Sequence, residues 1–527
     1  MRSRGDTVVT STRPGAALLE EARGLEATSL AEAIARYEAA IAAAEAGGES
    51  SVVAESLRHL AIARHHRNET AEARRLCRRS YDVARQSGQN RLAAEALNTL
   101  GAIDLATGSL DDARRTFLEA RELGDGSRTL RGRIEQNLGI LANIRGDRLE
   151  ALGHYERSLE DYRAARDEQG CGIAYHNLGM VNADRGRLEA ASCYYQESYA
   201  IAERTGDLYL QGLCLVNHGE VEVARERYEV ARQKAEAGLA LFEQLGALGP
   251  KASAHRVIGM AHRASGRMAL AEASLKTAID VAVAAGSVLN EAEASRELAL
   301  LYQAMGRNHD ALRRLNSAHG LFRRLNARVE LVDVGGRIAE VKRNYLTLVR
   351  AWGESMEWRN GGAFGHCERV ARHAVAVARL LGLDEEQEMT ILLGAYLHDV
   401  GMLRVPQELL SKAEPLTPDE LQIFQMHPIW GLDLLGSVAF PWDLKPIVRW
   451  HHEHYDGSGY PDRLQGDAIP LPAQVIGILD EFDALMSKRS GSVARASCDA
   501  VAQMHCRRTW WSEPVFEAFL RVVRAPA

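Results

Sequence analysis

Seven side chains in the last third of the sequence have the chemistry of metal ligands: His366, the pair His398-Asp399, His427, the pair His451-His452, and Asp480. Imidazole nitrogens combined with carboxylate oxygens suit borderline divalent ions such as iron, manganese or zinc. A carboxylate has two oxygens, so Asp399 can bridge two ions. Two ions about 3.5–4 Å apart can share a hydroxide, hold a phosphate and stabilise both the attacking and the leaving oxygen. Such chemistry needs no nucleophilic serine or cysteine. Directly after His451-His452 runs Glu453-His454-Tyr455-Asp456-Gly457-Ser458-Gly459-Tyr460-Pro461, a glycine-rich turn where a ligand can approach the backbone closely.

The elements that must position these residues read as helices. Asn360-Gly361-Gly362 breaks a helix just before His366, which opens the next one. A helix starting at Asp384 closes at His398-Asp399. Thr417-Pro418-Asp419-Glu420 is a capping box with proline at the first helical position, and that helix is expected to run to His427, where Pro428 follows. Trp442 to His452 is expected to form another helix. Leu471 to Met486 carries Asp480, with Asp483 one turn on. Strand patterns are absent, so the fold class is all-α. Ligands at the ends of bundled helices can converge, because those ends lie on one side.

Upstream, between Pro14 and Pro406, the only proline is Pro250, while alanine, leucine, glutamate and arginine dominate. The stretch repeats itself. Leu100-Gly101, Gly108, Ala113, Phe117 and Ala120 recur as Leu138-Gly139, Gly146, Ala151, Tyr155 and Ser158, and again from Leu178, Ile258 and Leu298. Weaker copies centre on His218-Gly219 and Leu60-Ala61, and a degenerate first copy keeps Ala33, Tyr37 and Ala40. The step is 40 residues, except 38 between Leu100 and Leu138, which makes eight repeats. Each is read as two antiparallel helices. Small residues let the backbones approach, Phe117 or Tyr155 fills the gap to the next repeat, and the third-offset glycine caps the first helix. The pattern resembles the tetratricopeptide repeat, whose usual period is 34. That resemblance implies a solenoid with a concave groove for a protein partner, or a homodimerisation arm.

The expected organisation is a disordered N-terminus over 1–14, repeats over 15–330, a connecting helix over 331–355 and the ligand-bearing domain over 356–527. Arg337 to Trp358 reads as one helix through the connection. With 527 residues, several domains are expected. The composition is 46% hydrophobic and 26% charged with a net charge of −7, which gives no electrostatic argument for nucleic acid or an anionic membrane as partner, and no nucleic acid is expected. The seven cysteines are scattered without a Cys-x-x-Cys pair, as expected of reduced thiols in a cytoplasm. No apolar run reaches the ~18–20 residues of a membrane helix, so no membrane insertion is expected. Arg74-Arg75 with Arg78-Arg79 reads as a solvated helix face, His65-His66 as surface and His218 as a packed core residue.

From about Gly365 to Leu520 the sequence resembles a known family. Leu397-His398-Asp399-Val400-Gly401 looks like the HD phosphohydrolase signature. His451-His452-Glu453 with Asp456-Gly457-Ser458-Gly459-Tyr460-Pro461 looks like its HD-GYP subfamily, as do Gly365-His366, Glu368-Arg369-Val370, Lys412, Leu416-Thr417, His427-Pro428 and Phe482-Asp483-Ala484-Leu485. The resemblance implies an all-helical phosphodiesterase that hydrolyses cyclic di-GMP to pGpG or GMP with iron or manganese. It makes His366, His398, Asp399, His427, His451, His452 and Asp480 the metal ligands, with Asp399 as the bridge and with Asp399 and His398 catalytic. It also makes Gly459, Tyr460 and Pro461 line the nucleotide site and Arg489 face the phosphates. His373, His454 and His505 lie outside the pattern.

Three departures qualify what the resemblance implies. The family's His-Asp-x-Gly-Lys ends here in Met402, so the lysine that would meet a phosphate oxygen is missing. Losing one preorganised stabilising group costs about 10²–10³ in rate. The expectation is a slow enzyme or a changed substrate; the alternative is a nucleotide-responsive scaffold with little turnover. Arg404 is the nearest candidate replacement. The glutamate of three-metal members is Gly362 here, which implies two ions. The family's Arg-Pro-Tyr-Arg is reduced to Arg489-Ser490-Gly491-Ser492.

Overall fold

The computed structural model describes residues 14–524 except 27–28, 68, 125, 326, 360–364, 413, 437, 439 and 487–496. The N-terminal segment expected to be disordered lies, up to residue 13, outside the described residues. So do the break at Asn360-Gly361-Gly362 and the Arg489 segment. Among the described residues there is no strand, and no helix is long and apolar enough to cross a membrane. The chain divides into two units. One comprises residues up to Gly306 with Arg314–Gly335; the other comprises Arg307–Arg313 with Gly336 onward.

In the first unit, helices follow one another in antiparallel pairs from Pro14–Leu25 with Leu30–Ala46 onward. The pairing is local because a residue in the left-handed conformation, most often a glycine, ends most first helices; Glu226 takes that place at φ 61° after Leu208–Ala224. Gly108, Gly146, Gly186 and Gly266 adopt φ of 81, 85, 71 and 75°, the left-handed conformation that closes a helix and turns the chain. The Leu-Gly glycines act differently, by lacking a side chain. A Cβ on Gly101, Gly139 or Gly179 would stand 2.6, 2.5 or 2.6 Å from the ring of Phe117, Tyr155 or Tyr195. The aromatic ring therefore sits first on the glycine of its own pair, a refinement of its expected role between repeats. It still reaches onward, since Phe117 shares a core with Ile134, Leu138 and Leu141 of the following pair. Where the last small position is serine, the hydroxyl donates to a main-chain carbonyl of the partner helix: Ser80 to Ala54, Ser158 to Gly132 and Ser198 to Gly172, at 2.6, 2.8 and 2.8 Å. First helices of successive pairs also pack on one another, so together they line one face. His218 is buried, bonded to Ser192.

The second unit is a helical bundle around Leu471–Met486. This helix is buried from Ala473 through Asp480 and again at Phe482 and Asp483, as expected of a helix that is apolar nearly all round. Against it pack His366–Leu380, Glu385–Leu397, Lys445–Trp450, Ser497–Cys506 and Glu513–Arg524. Asp384 caps Glu385–Leu397 with a complete capping box, and Thr417 does the same for Pro418–Phe424. Two expected boundaries are corrected. The helix after Thr417 ends at Phe424, and His427 opens a new helix, His427–Leu435. Pro428 is the reason, because proline fits the first turn of a helix, where its missing N–H is not needed. Likewise the helix before His451 is only Lys445–Trp450, started by Pro446. The connecting helix is longer than expected, running Arg328–Arg359.

Candidate metal centre

Each candidate ligand sits where a helix begins or ends, apart from Asp480 inside Leu471–Met486. His398 closes Glu385–Leu397, and the tight turn Val400–Arg404 follows Asp399. That turn lies against the start of His427–Leu435 because Gly401 has no side chain: a Cβ there would fall 1.8 Å from the His427 carbonyl oxygen. His451 follows Lys445–Trp450.

These residues converge. His366, His398 and Asp399 form one group of donor atoms, and Asp399, His427, His451 and His452 form another, so Asp399 belongs to both. Asp480 adds an oxygen to the first, 3.4 Å from His366 Nε2 and 3.8 Å from His398 Nε2. Asp399 Oδ1 stands 3.4 and 3.7 Å from Nε2 of His427 and His451. The four rings of His366, His398, His427 and His451 are buried, whereas the Asp399 side chain keeps 13% of its surface open to a substrate.

The tautomers follow from the outer nitrogens. His398 Nδ1 donates to the Ala395 carbonyl at 2.8 Å, His427 Nδ1 to Phe424 at 2.9 Å, and His451 Nδ1 to Ile447 and Val448 at 3.1 Å each. His366 Nδ1 donates to the Asp483 carboxylate at 2.7 Å. Each partner can only accept, so each Nδ1 carries the proton and each Nε2 presents a lone pair inward. Those lone pairs meet in pairs, His366 with His398 and His427 with His451, at 3.4 Å. Facing lone pairs at that distance need a proton or a cation between them. Asp399 Oδ1 is buried among them without a hydrogen bond. This donor set fits divalent metal ions.

Protein charges alone already bias the site. Burial opposes a proton on His398, but the Asp399 and Asp480 carboxylates outweigh it and raise the imidazole to about 9. Burial lowers His427 to about 4 and holds His452 well below its ordinary value, so both are neutral and able to ligate at neutral pH. Burial would raise Asp399, yet the surrounding imidazoles hold it well below the usual carboxylate range.

The glycine-rich turn forms one wall. Gly459 is buried, and a Cβ there would come within 2.5 Å of the His452 carbonyl oxygen and the Glu453 Cα. The Tyr460 ring stacks on His452, with centroids 4.8 Å apart, and Pro461 follows. The buried Glu453 carboxylate accepts from the backbone of Asp462 and Leu464 at 2.6 and 2.9 Å and so ties the turn down. His454 stacks on Trp510 at 3.8 Å. Met402 is buried beside the Asp399 turn, and Arg404 pairs at 3.1 Å with Asp433, outside the donor cluster. Lys412 pairs with Glu420.

Two acids take positioning roles that the sequence reading did not assign. Asp483 holds His366 and also takes two bonds from Arg369, at 2.7 and 2.9 Å. Its signal was the spacing: Asp483 follows Asp480 by one turn, as Arg369 follows His366. Glu357 accepts from the main-chain nitrogens of Gly365 and Cys367 at 2.7 and 2.5 Å, capping the His366 helix, and no local pattern announces it.

Residues 354–512 match the HD domain family. Residues 52–125, 129–204 and 171–244 match one tetratricopeptide-repeat family, and 209–287 match another. The chain therefore carries tetratricopeptide repeats followed by an HD domain. The cyclic di-GMP phosphodiesterase response regulator RpfG of Xanthomonas campestris pv. campestris is 37% identical over 203 residues, 38% of this chain and 53% of that one. The 3'3'-cGAMP-specific phosphodiesterase 2 of Vibrio cholerae serotype O1 is 36% identical over 160 residues, 29% of this chain and 30% of that one. The cyclic di-GMP phosphodiesterase of Thermotoga maritima is 32% identical over 170 residues, 32% of this chain and 46% of that one. The chain thus spans about half or less of the length of these relatives.

Proposed function

We propose that the HD domain is a phosphodiesterase that hydrolyses cyclic di-GMP to pGpG or GMP with two divalent ions, iron or manganese, and that the repeats regulate or place it through a protein partner. The observation that carries this reading is the meeting of two donor groups on one shared carboxylate, Asp399. His366, His398, Asp399 and Asp480 would hold one ion; Asp399, His427, His451 and His452 would hold the other. Bound ions supply Lewis acidity toward the phosphate and lower the pKa of water. The chain's residues do the rest. Four Nδ1 tethers fix the imidazoles before substrate arrives. Gly459, Tyr460 and Pro461 form the nucleotide wall. Burial pushes the Tyr460 phenol up, so it stays protonated, can donate a hydrogen bond and adds no negative charge beside the phosphate.

Met402 brings no cation to that phosphate, and Arg404 is engaged by Asp433. The rate is therefore expected to be about 10²–10³ below that of an enzyme with the lysine. Arg489 is proposed to meet the phosphates. The seven unpaired cysteines support a reducing, cytoplasmic location.

The test loads the purified protein with Mn²⁺ or Fe²⁺ and follows hydrolysis of cyclic di-GMP and 3'3'-cGAMP by wild type, Asp399→Ala and Met402→Lys. Metal-dependent turnover of cyclic di-GMP, lost in Asp399→Ala and raised in Met402→Lys, is expected. Full activity in Asp399→Ala refutes the metal mechanism. Turnover only in Met402→Lys makes the native domain a scaffold, and preference for 3'3'-cGAMP changes the substrate.

A further inference from the structure

The glycine-rich turn is held from two sides. Glu453 gathers the backbone of Asp462 and Leu464 on one side. The other side rests on residues 507–511, which carry none of the signature residues. The Tyr455 main-chain nitrogen donates to the Trp510 carbonyl at 2.8 Å. Thr509 Oγ1 donates to Asp456 Oδ2 at 2.9 Å, and Asp456 Oδ1 accepts from the main-chain nitrogen and the hydroxyl of Ser458 at 3.0 and 2.6 Å. The Trp510 ring lies flat on His454, with centroids 3.8 Å apart and planes 12° apart. Because the Ser458 hydroxyl gives its proton to Asp456, His454 Nδ1 donates to that hydroxyl at 2.9 Å. Gly459 then crosses back over this stretch, so close that a Cβ on it would stand 2.4 Å from the His454 main-chain nitrogen. His454 is therefore the seat of Gly459, and the next residue is Tyr460.

Residues 507–511 are themselves anchored on the helix Leu471–Met486, which carries Asp480. Trp511 is buried, with its ring 3.7 Å from where a Cβ of Gly477 would lie. Ser512 Oγ donates to Gln474 Oε1 at 2.6 Å. Arg507 pairs with Glu481, the residue after Asp480, and its guanidinium also lies on the Trp510 ring, 4.8 Å from the centroid. Trp510 is only half-buried, so its ring is not part of the core that Trp511 fills. Its ring contacts are His454, Trp511 and Arg507, none of them a metal donor. One path of contacts therefore runs from the helix of Asp480 through Arg507, Trp510 and His454 to Gly459 and Tyr460, and it bypasses the donor cluster.

We propose that Trp510 is a positioning residue for the nucleotide wall: through His454 and the Tyr455 backbone it fixes Gly459 and Tyr460 at a set place relative to Asp480. A turn with two glycines between Asp456 and Tyr460 has little rigidity of its own. The flat Trp510–His454 contact and the two hydrogen bonds from Tyr455 and Thr509 supply it before substrate arrives, which lowers the ordering cost of binding. The effect falls on substrate binding, not on the ions or the chemical step. The proposal rests on the phosphodiesterase reading for its substrate, and it assigns a role to a residue outside the ligand set.

The test uses the full chain loaded with Mn²⁺, as wild type, Trp510→Ala, Trp510→Phe, His454→Ala and the double variant that combines Trp510→Ala with His454→Ala. In Trp510→Ala, KM for cyclic di-GMP is expected to rise about three- to tenfold, with kcat and the number of bound ions unchanged. Trp510→Phe, whose ring still stacks, should restore KM to within about twofold of wild type. His454→Ala should raise KM comparably, and the double variant should be no worse than the worse single one, because both changes remove the same stack. Hydrogen exchange in the peptide spanning 453–460 should quicken in Trp510→Ala and not in Trp510→Phe. A wild-type KM in Trp510→Ala, a lowered ion count, or full additivity in the double variant overturns the proposal. Should Trp510→Ala fail to fold, His454→Ala decides, and a wild-type KM there overturns it. Exchange needs no turnover. If wild type hydrolyses no cyclic di-GMP while exchange quickens in Trp510→Ala, the phosphodiesterase reading alone fails; unchanged exchange with intact hydrolysis counts against this proposal alone.

Discussion

Replacing Asp483 by asparagine keeps its size and removes its charge, and the consequence runs through a tautomer. The wild-type carboxylate accepts from His366 Nδ1 at 2.7 Å and from Arg369 at 2.7 and 2.9 Å. In Asp483→Asn the guanidinium claims the single amide oxygen, since it can only donate. The amide NH₂ is left facing His366 Nδ1, which must then accept. The imidazole proton moves to Nε2, the atom 3.4 Å from both His398 Nε2 and Asp480 Oδ1, and a protonated Nε2 cannot ligate. Outer partners of this kind are worth about 10–100-fold in metal affinity. That is about 1.4–2.7 kcal/mol. The loss should fall on one ion, because His427 and His451 keep their carbonyl tethers. The assay equilibrates both proteins with Mn²⁺ at free concentrations set by graded chelator and counts ions per chain. Wild type and variant should share one binding step and differ in the other. The reasoning fails if both steps shift together, or if neither does in a variant whose metal-free melting temperature matches wild type.

Gly401→Ala places a methyl where the His427 carbonyl oxygen now lies, 1.8 Å from the new carbon, so it should cost about 3 kcal/mol in urea unfolding and lower the ion count on the His427 side. Glu453→Gln removes the charge that gathers two main-chain donors of the glycine-rich turn; KM for cyclic di-GMP should rise about five- to tenfold while the ion count stays at the wild-type value. In the solenoid, burial would raise the Glu135 carboxyl, but hydrogen bonds from His154 and Arg157 outweigh it and hold it down to about 2. A depressed carboxyl contributes stability that is complete above its unfolded value near 4.5 and is lost as pH falls toward about 2. The difference in urea stability between wild type and Glu135→Gln should therefore shrink as pH falls through that acid window.

What could be read from the sequence depended on whether the cause was local. The paired helices were legible because Gly108, Gly146 and Gly186 recur at fixed offsets and each marks a turn. The seating of Phe117 on Gly101 was less so, since spacing alone does not say toward which neighbour a ring leans. The seven donor residues could be picked out by type, and the structure brings them together. The boundary at His427 was misread because Pro428 is compatible with the end of one helix and with the first turn of the next; only the backbone of Gln425 and Met426 decides. Glu357 was invisible for a physical reason: it caps the His366 helix from 8 to 10 residues upstream, outside the three-residue spacing of a capping box, and so leaves no periodic trace. Arg404, the sequence candidate for the missing cation, is drawn to Asp433 by a contact 29 residues away.

The same distinction explains why one histidine needs an acid and three do not. The last carbonyls of a helix lack partners within it. A histidine at or just past a helix end finds such an acceptor three or four residues back, as His398 does at Ala395, His427 at Phe424 and His451 at Ile447 and Val448. The orientation of those rings is thus supplied by the backbone and survives most side-chain substitutions. His366 opens its helix, and the groups left over at a helix start are N–H donors, which cannot orient an imidazole for ligation. That end must import acceptors: Glu357 for the backbone nitrogens of Gly365 and Cys367, and Asp483 for the ring. Glu357 comes from the end of the preceding helix and Asp483 from a segment 117 residues away, and neither carries a metal role in the signature. The His366 group is therefore the side of the centre that mutations away from the ligands can weaken, and the His427–His451 group is the side that persists.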